Sequence, residues 1–209
     1  MPGADITEMV VRFGREQALA GLTRQDLVFH AGLRKSNVGG YFQPDIQAIE
    51  ACRPDLIIAA PSHKEVIRHF ADSRVMVMEA GTLEEAFAQM EMMGRLFDCE
   101  TRAAEVIRDN REKPALVKAR LAALPARGKK RVVRVMAGDE LSCPGDDSFQ
   151  NEIIEAAGGA VPKWGKNGFA VPVDLKDWQD FNPQVVYGCH QNEKAARALL
   201  GREGWQDVD

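Results

Sequence analysis

The sequence predicts an α/β fold: two lobes with parallel sheets, bridged by a long helical backbone, with a ligand cleft between the lobes. Three observations predict it. Short β-branched runs alternate with helical patterns near both ends of the chain, the sign of βα units and parallel strands. Residues 83–124, between them, carry no strand pattern. One helix–proline–strand arrangement also occurs twice in the same order, once on each side of that helical stretch. The boundaries that follow are 1–82 for the first lobe, 83–128 for the helical linker and 129–209 for the second lobe.

Each element has its own local reason. Apolar residues from Thr7 to Phe13 recur at helical spacing and stop at Gly14, a residue suited to a left-handed cap. Leu19 to Thr23 reads as a short strand, and Val38 to Pro44 as a turn-rich loop around Gly39 and Gly40. Asp45 is placed to cap a helix reaching about Cys52. Arg53-Pro54 stops that helix, and Asp55 to Ala60 is a continuous apolar strand of the buried parallel type. A helix from Lys64 to Ala71 and a strand from Val75 to Met78 follow. Two long helices then fit residues 83–97 and 100–124, with Thr82 as cap and Asp98 as the break; their charged faces read as solvated. The basic turn Arg127 to Arg131 leads into a strand from Val132 to Ala137.

The repeat carries the two-lobe reading. Thr7-Glu8 with Gly14 matches Asn151-Glu152 with Gly158: a polar residue, Glu, apolar residues, then Gly six places after the Glu. The helix from Asp45 into Pro54 and strand Leu56-Ile57-Ile58 matches the helix from Asp174 into Pro183 and strand Val185-Val186-Tyr187. Ligands of parallel α/β folds sit beyond the carboxyl ends of the strands, so two such lobes would face each other across a cleft.

Composition narrows the function classes. The 209 residues carry a net charge of −4, which argues against a protein that grips nucleic acid through its phosphates. At 45% hydrophobic and 28% charged residues the chain is not of a disordered type. No apolar run approaches the ~20 residues of a membrane helix. The glycine pairs Gly39-Gly40 and Gly158-Gly159 lack the spacing of a phosphate-binding loop, and no nucleophile–base–acid set stands out, so an enzyme is not expected. The four cysteines form no CxxC pair.

Candidate ligand contacts come from loops at strand ends. Tyr41 and Phe42, after Gly40, stand at the mouth of the first lobe, where apolar area and aromatic faces can hold a ligand. Ser62 and His63 follow the strand ending at Ala60. In the second lobe Trp164 and Phe169, with Gly165 and Gly168 between, form an exposed aromatic loop. Cys143 and Cys189-His190 fall in loops after two strands, Val132–Ala137 and Gln184–Gly188, that should be neighbours. Their sulfurs should lie on the cleft face, as soft metal ligands, a disulfide, or two unrelated thiols.

At these residues the chain resembles the substrate-binding proteins of ABC importers for metal chelates: vitamin B12, siderophores and haem. The resemblance rests on Ile6-Thr7-Glu8-Met9 with Gly14, Val38-Gly39-Gly40-Tyr41, and Arg53-Pro54-Asp55-Leu56-Ile57-Ile58-Ala59. It continues through Pro144–Phe149 with Ala156-Ala157-Gly158-Gly159, Asn182–Val186, and Gly204-Trp205-Gln206-Asp207-Val208. It implies Rossmann-like lobes, a periplasmic or membrane-anchored extracellular location, and capture of a corrinoid, ferric siderophore or haem for delivery to an ABC-transporter permease. The protein would have no cofactor of its own. An aromatic at Tyr41 would stack on the ligand or ligate haem iron, and the loop of Ser142 and Cys143 would contact it. Relatives dock their transporter through an acidic residue on each lobe. Here those places hold Gln47 and Lys176, with Asp45, Glu50, Asp174 and Asp177 close by. Relatives also carry a strand before the Ile-Thr-Glu helix and a strand and helix after the last motif, so the chain is expected to be trimmed at both ends. The competing reading is an intracellular metal-binding or scaffold protein of the same two-lobe fold.

Overall fold

A computed structural model describes residues 2–71, 74–123, 128–136, 141–188, 197, 201 and 203–205. The fold is mixed α/β with parallel strands and a long helix. It divides into two compact units: Met1–Ala80 with Ala86–Arg108, and Gly81–Glu85 with Asp109–Asp209.

The first unit opens with α1 (Pro2–Arg12), which begins earlier than the apolar pattern shows. Gly14, at φ 69°, ends this segment in the left-handed region. β1 (Gly21–Leu22) pairs in parallel with β2 (Ser36–Asn37). Between them lies α2 (Arg24–Phe29), a helix absent from the sequence reading; Thr23 caps it by accepting from the Asp26 N–H. Next come α3 (Ile46–Ala51), β3 (Ile57–Ala59), α4 (Lys64–His69) and β4 (Val75–Val77), with β3 and β4 parallel. Met9, Val10, Phe13, Met78, Met93, Ala103 and Val106 form the main core, and Ile49, Val66 and Phe70 a smaller one under α3 and α4.

The two long helices are α5 (Leu83–Leu96) and α6 (Glu100–Ala122). Thr82 Oγ1 accepts from the Glu85 N–H at 3.1 Å, and Asp98 breaks the pair at φ 48°. Pro114 lies inside α6 without ending it.

In the second unit β5 (Val132–Val135) pairs in parallel with β8 (Val185–Gly188), as the sequence leads one to expect. The other elements are β6 (Ser142–Cys143), α7 (Phe149–Ala156), β7 (Val171–Pro172) and α8 (Leu175–Phe181). β6 and β7 run antiparallel, an exception to the parallel pattern. The core comprises Val133, Val135, Leu141, Cys143, Trp164, Val171, Val173 and Trp178. Trp178 donates its indole N–H to the Trp205 carbonyl at 3.1 Å, fastening residues 204–205 to α8.

The repeat extends to backbone conformation. Asp45 and Asp174 each accept from the N–H three residues on, at 3.0 and 2.8 Å. Arg53 and Asn182, each just before a proline, both adopt the left-handed region, at φ 47° and 52°. Gly14 and Gly158 end α1 and α7 at φ 69° and 85°.

Candidate ligand-binding site

In the first unit the loop after β2 is closed by a reciprocal pair of backbone bonds between Gly40 and Gln43, at 2.9 and 3.1 Å. Gly39, at φ 94°, sits so close to the backbone of Gln43 and Asp45 that a Cβ would fall 2.6–2.7 Å from it; only glycine fits. The Tyr41 N–H donates to Gln25 Oε1 at 3.0 Å, which anchors the loop to α2. The two aromatics then diverge. Tyr41 turns inward and is 7% exposed, whereas Phe42 is 81% exposed. Their rings meet edge to face at 5.0 Å.

The loop after β3 meets Tyr41. Its hydroxyl lies 3.4 Å from Ser62 Oγ, and its ring lies 4.6 Å from that of His63. His63 Nδ1 accepts from the Ala60 N–H at 3.2 Å, which places the proton of the neutral ring on Nε2. Gly40, Tyr41, Ser62 and His63 are thus brought together by β2 and β3. Tyr41 and His63 also line a cavity of about 430 Å³ within this unit.

In the second unit two loops are clipped together by carboxylates. Asp146 accepts from the N–H groups of Trp164 and Gly165, at 2.7 and 3.0 Å, and Asp147 accepts from the Gly168 N–H at 2.8 Å. Gly145 lies so near Gly168 that a Cβ would fall 2.6 Å from its nitrogen. These clips hold Ser142, Cys143, Trp164 and Phe169 on adjoining segments.

Two expectations need correction here. Cys143 belongs to strand β6, not to a loop, and at 0% exposure its side chain packs in the core. Burial pushes its thiol from 9.0 up to about 12, so it is a neutral, poor metal ligand as it stands. Trp164 is not exposed either: it is buried in the same core, 6.0 Å from Phe181. A strand with alternating burial, Leu141 and Cys143 inward and Ser142 half-buried, explains the first error; the alternation is too short to read from sequence. Phe169 is half-buried. Cys189 and His190 lie outside the described residues, so their proximity to Cys143 is not part of the site.

At the expected docking positions Gln47 and Glu50 are exposed on α3, and Glu50 Oε1 lies 2.8 Å from His69 Nε2. Lys176 on α8 pairs with Asp180, which raises its pKa first through that hydrogen bond. Asp177 is half-buried, 3.7 Å from Lys166 Nζ. Sequence reading missed Asp26, buried beside the cavity, although Thr23-x-x-Asp26 has the spacing of a capping box. It also missed the clips made by Asp146 and Asp147. Among the described residues no group of three His, Cys, Asp or Glu is placed to hold a metal ion, and no helix is long and apolar enough to cross a membrane.

Three solved structures show the same fold. A periplasmic heme binding protein from Pseudomonas aeruginosa is 22% identical with a TM-score of 0.77, covering 99% of this chain and 77% of that one. A periplasmic vitamin B12 binding protein of Vibrio cholerae is 16% identical with a TM-score of 0.69, covering 93% and 76%. A petrobactin-binding protein from Bacillus subtilis is 20% identical with a TM-score of 0.75, covering 99% and 76%. No curated protein matches the chain. The family model described as periplasmic binding protein matches residues 13–209, nearly the whole chain. With that match added to the two α/β units and their parallel strands, the chain belongs to this family of binding proteins, which are not enzymes.

Proposed function

We propose that this chain captures a metal chelate (a corrinoid, a ferric siderophore or haem) outside the cytoplasm and delivers it to an ABC importer. The observation that carries this reading is the family match over residues 13–209. The three similar structures support it, since their names record heme, vitamin B12 and petrobactin as ligands.

In this reading two lobes, residues 1–82 and 129–209, are joined by the helical segment 83–128, and each lobe offers the chelate the loops at its strand ends. Phe42 is the stacking platform of the first lobe: it is exposed, and buried Tyr41 backs it edge-on. Such a ring supplies ~0.5–1.5 kcal/mol beyond its area against a flat macrocycle. Ser62 adds a polar contact beside the Tyr41 hydroxyl, His63 packs on the Tyr41 ring, and the clipped loops carrying Ser142 and Phe169 supply the second lobe's contacts. The chelate is cargo, so no step of chemistry is assigned to it. Transporter docking falls to α3 and α8, through Gln47, Glu50, Lys176 and Asp177. Asp177 and Asp174 supply the acidic groups of α8 beside Lys176, which pairs with Asp180.

Absorption titration tests the reading with haem, cobalamin, cobinamide and ferric siderophores. We expect one class to bind saturably and to be released unaltered. No spectral change with any of the four would overturn the proposal.

A further inference from the structure

We propose that the exposed face of α2 extends the Phe42 platform and sets its specificity: Arg24 pairs with a carboxylate on the rim of a flat chelate, while Val28 and Phe29 cover the apolar surface beside it. This deepens the chelate reading and rests on it.

Large apolar side chains stay uncovered in one part of the first unit. Phe42, Val28 and Phe29 are the three most exposed large hydrophobic residues among those described, at 81, 73 and 62%. Apolar side chains exposed together mark a binding surface, whereas single ones do not. Hydrogen bonds hold the segments that carry these three together. The Arg24 N–H donates to the Gly39 carbonyl at 2.8 Å, and Gln25 Oε1 accepts from the Tyr41 N–H at 3.0 Å. The first turn of α2 is thereby fixed against the loop that bears Phe42. Residues three and four apart share a helix face, so Val28 and Phe29 stand one turn beyond Arg24 and Gln25. One turn is about 5.4 Å, a short step against the breadth of a tetrapyrrole.

Charge singles out the occupant. From residue 21 to residue 44 the fixed charges are Arg24, Arg34, Lys35 and Asp26, so this stretch is cationic in a chain of net charge −4. Asp26 is 3% exposed and its Oδ2 accepts from the Thr23 hydroxyl, which turns the one carboxylate away from solvent. Arg24 is exposed, and among the described residues its guanidinium has no ion pair. An apolar surface that ends in an uncommitted guanidinium fits a ligand with a flat apolar face and an anionic rim. A carboxylate gives the guanidinium a two-pronged, charge-assisted partner. The neutral amides around a corrin ring offer only single, weaker bonds. A siderophore that wraps its iron in polar groups has no flat apolar face for Phe42 and Val28. A tetrapyrrole with free carboxylate arms meets both demands.

The test uses the full 209-residue chain and two probes, haem and haem dimethyl ester, which differ only in the charge of the carboxylate arms. Absorption titration should show haem binding about fivefold more tightly than the ester, with the gap narrowing in ~1 M salt. Arg24→Gln should bring haem to the affinity of the ester and leave the ester unchanged; Arg24→Lys should restore part of the difference. Val28→Ser with Phe29→Ser should weaken both probes alike. Equal affinity for the two probes overturns the proposal, as does an Arg24→Gln chain that binds haem like wild type, or a double Ser variant that binds both probes unchanged. Binding of cobalamin or a ferric siderophore without binding of haem overturns this inference and leaves the chelate reading standing, whereas no binding of any chelate overturns both.

Discussion

Burial holds the Cys143 thiol neutral, with its pKa near 12 against 9.0 when free. Above pH 9 the unfolded chain would lose this proton while the folded chain keeps it. The contribution to stability is therefore complete below pH 9 and is lost progressively as pH rises toward 12. The slope is at most ~1.4 kcal/mol per pH unit for this one group. Cys143→Ala should flatten that alkaline limb in denaturant titrations, and native Cys143 should resist thiol reagents that modify it once unfolded. Phe42 is the opposite case. Because it is 81% exposed, Phe42→Ala should leave the melting temperature within about 1 °C, as for surface changes of ~0.5 kcal/mol or less, yet weaken chelate binding by ~1 kcal/mol. Equal affinity for wild type and variant in the absorption titration would remove Phe42 from the site.

Elements are closed by matching devices in the two halves. Asp45 on α3 and Asp174 on α8 each satisfy an otherwise free N–H of the first turn. Replacing either by Ala should cost ~1 kcal/mol in urea unfolding. The left-handed residues that follow are not equivalent. Asn tolerates this conformation through its short polar side chain, whereas Arg does not. Arg53→Gly should therefore stabilise the chain more than Asn182→Gly, by up to ~1 kcal/mol, and the reverse order would show that Arg53 makes compensating contacts. α6 continues through Pro114 at the loss of one backbone hydrogen bond, and Pro114→Ala should stabilise that helix.

At the scale of the whole molecule, the two units have separate cores. All three tryptophans, Trp164, Trp178 and Trp205, belong to the second unit. Tryptophan fluorescence should therefore follow unfolding of that unit, while far-ultraviolet circular dichroism follows both. We expect the two denaturation curves not to coincide; coincident midpoints and slopes would show one cooperative transition instead. Trp178→Ala, which empties the centre of the second core, should cost ~3–5 kcal/mol and shift the fluorescence transition more than the first unit's share of the dichroism signal.

Much of the order of helices and strands was legible in the sequence from local rules, although α2, opened by the Thr23-x-x-Asp26 pattern, and the short strand β6 were not read. Asp45, Asp174, Thr82, Gly14 and Gly158 act within a few residues of themselves, so capping and stop signals place them correctly. The pairing of β5 with β8 was legible too, because parallel strands of one lobe follow a short list of connections. Side-chain direction was not legible. Tyr41 and Phe42 are adjacent aromatics in one loop, and only the positions of Gln25, Ser62 and His63 turn the first inward and leave the second outside. Cys143 and Trp164 read as loop residues by their glycine and proline neighbours, yet contacts with Val133, Val171 and Trp178, far along the chain, bury both. Burial sums contacts over distant segments, which a one-dimensional pattern of two to four residues does not contain; that is why the sequence determined the elements and the tertiary structure decided the site.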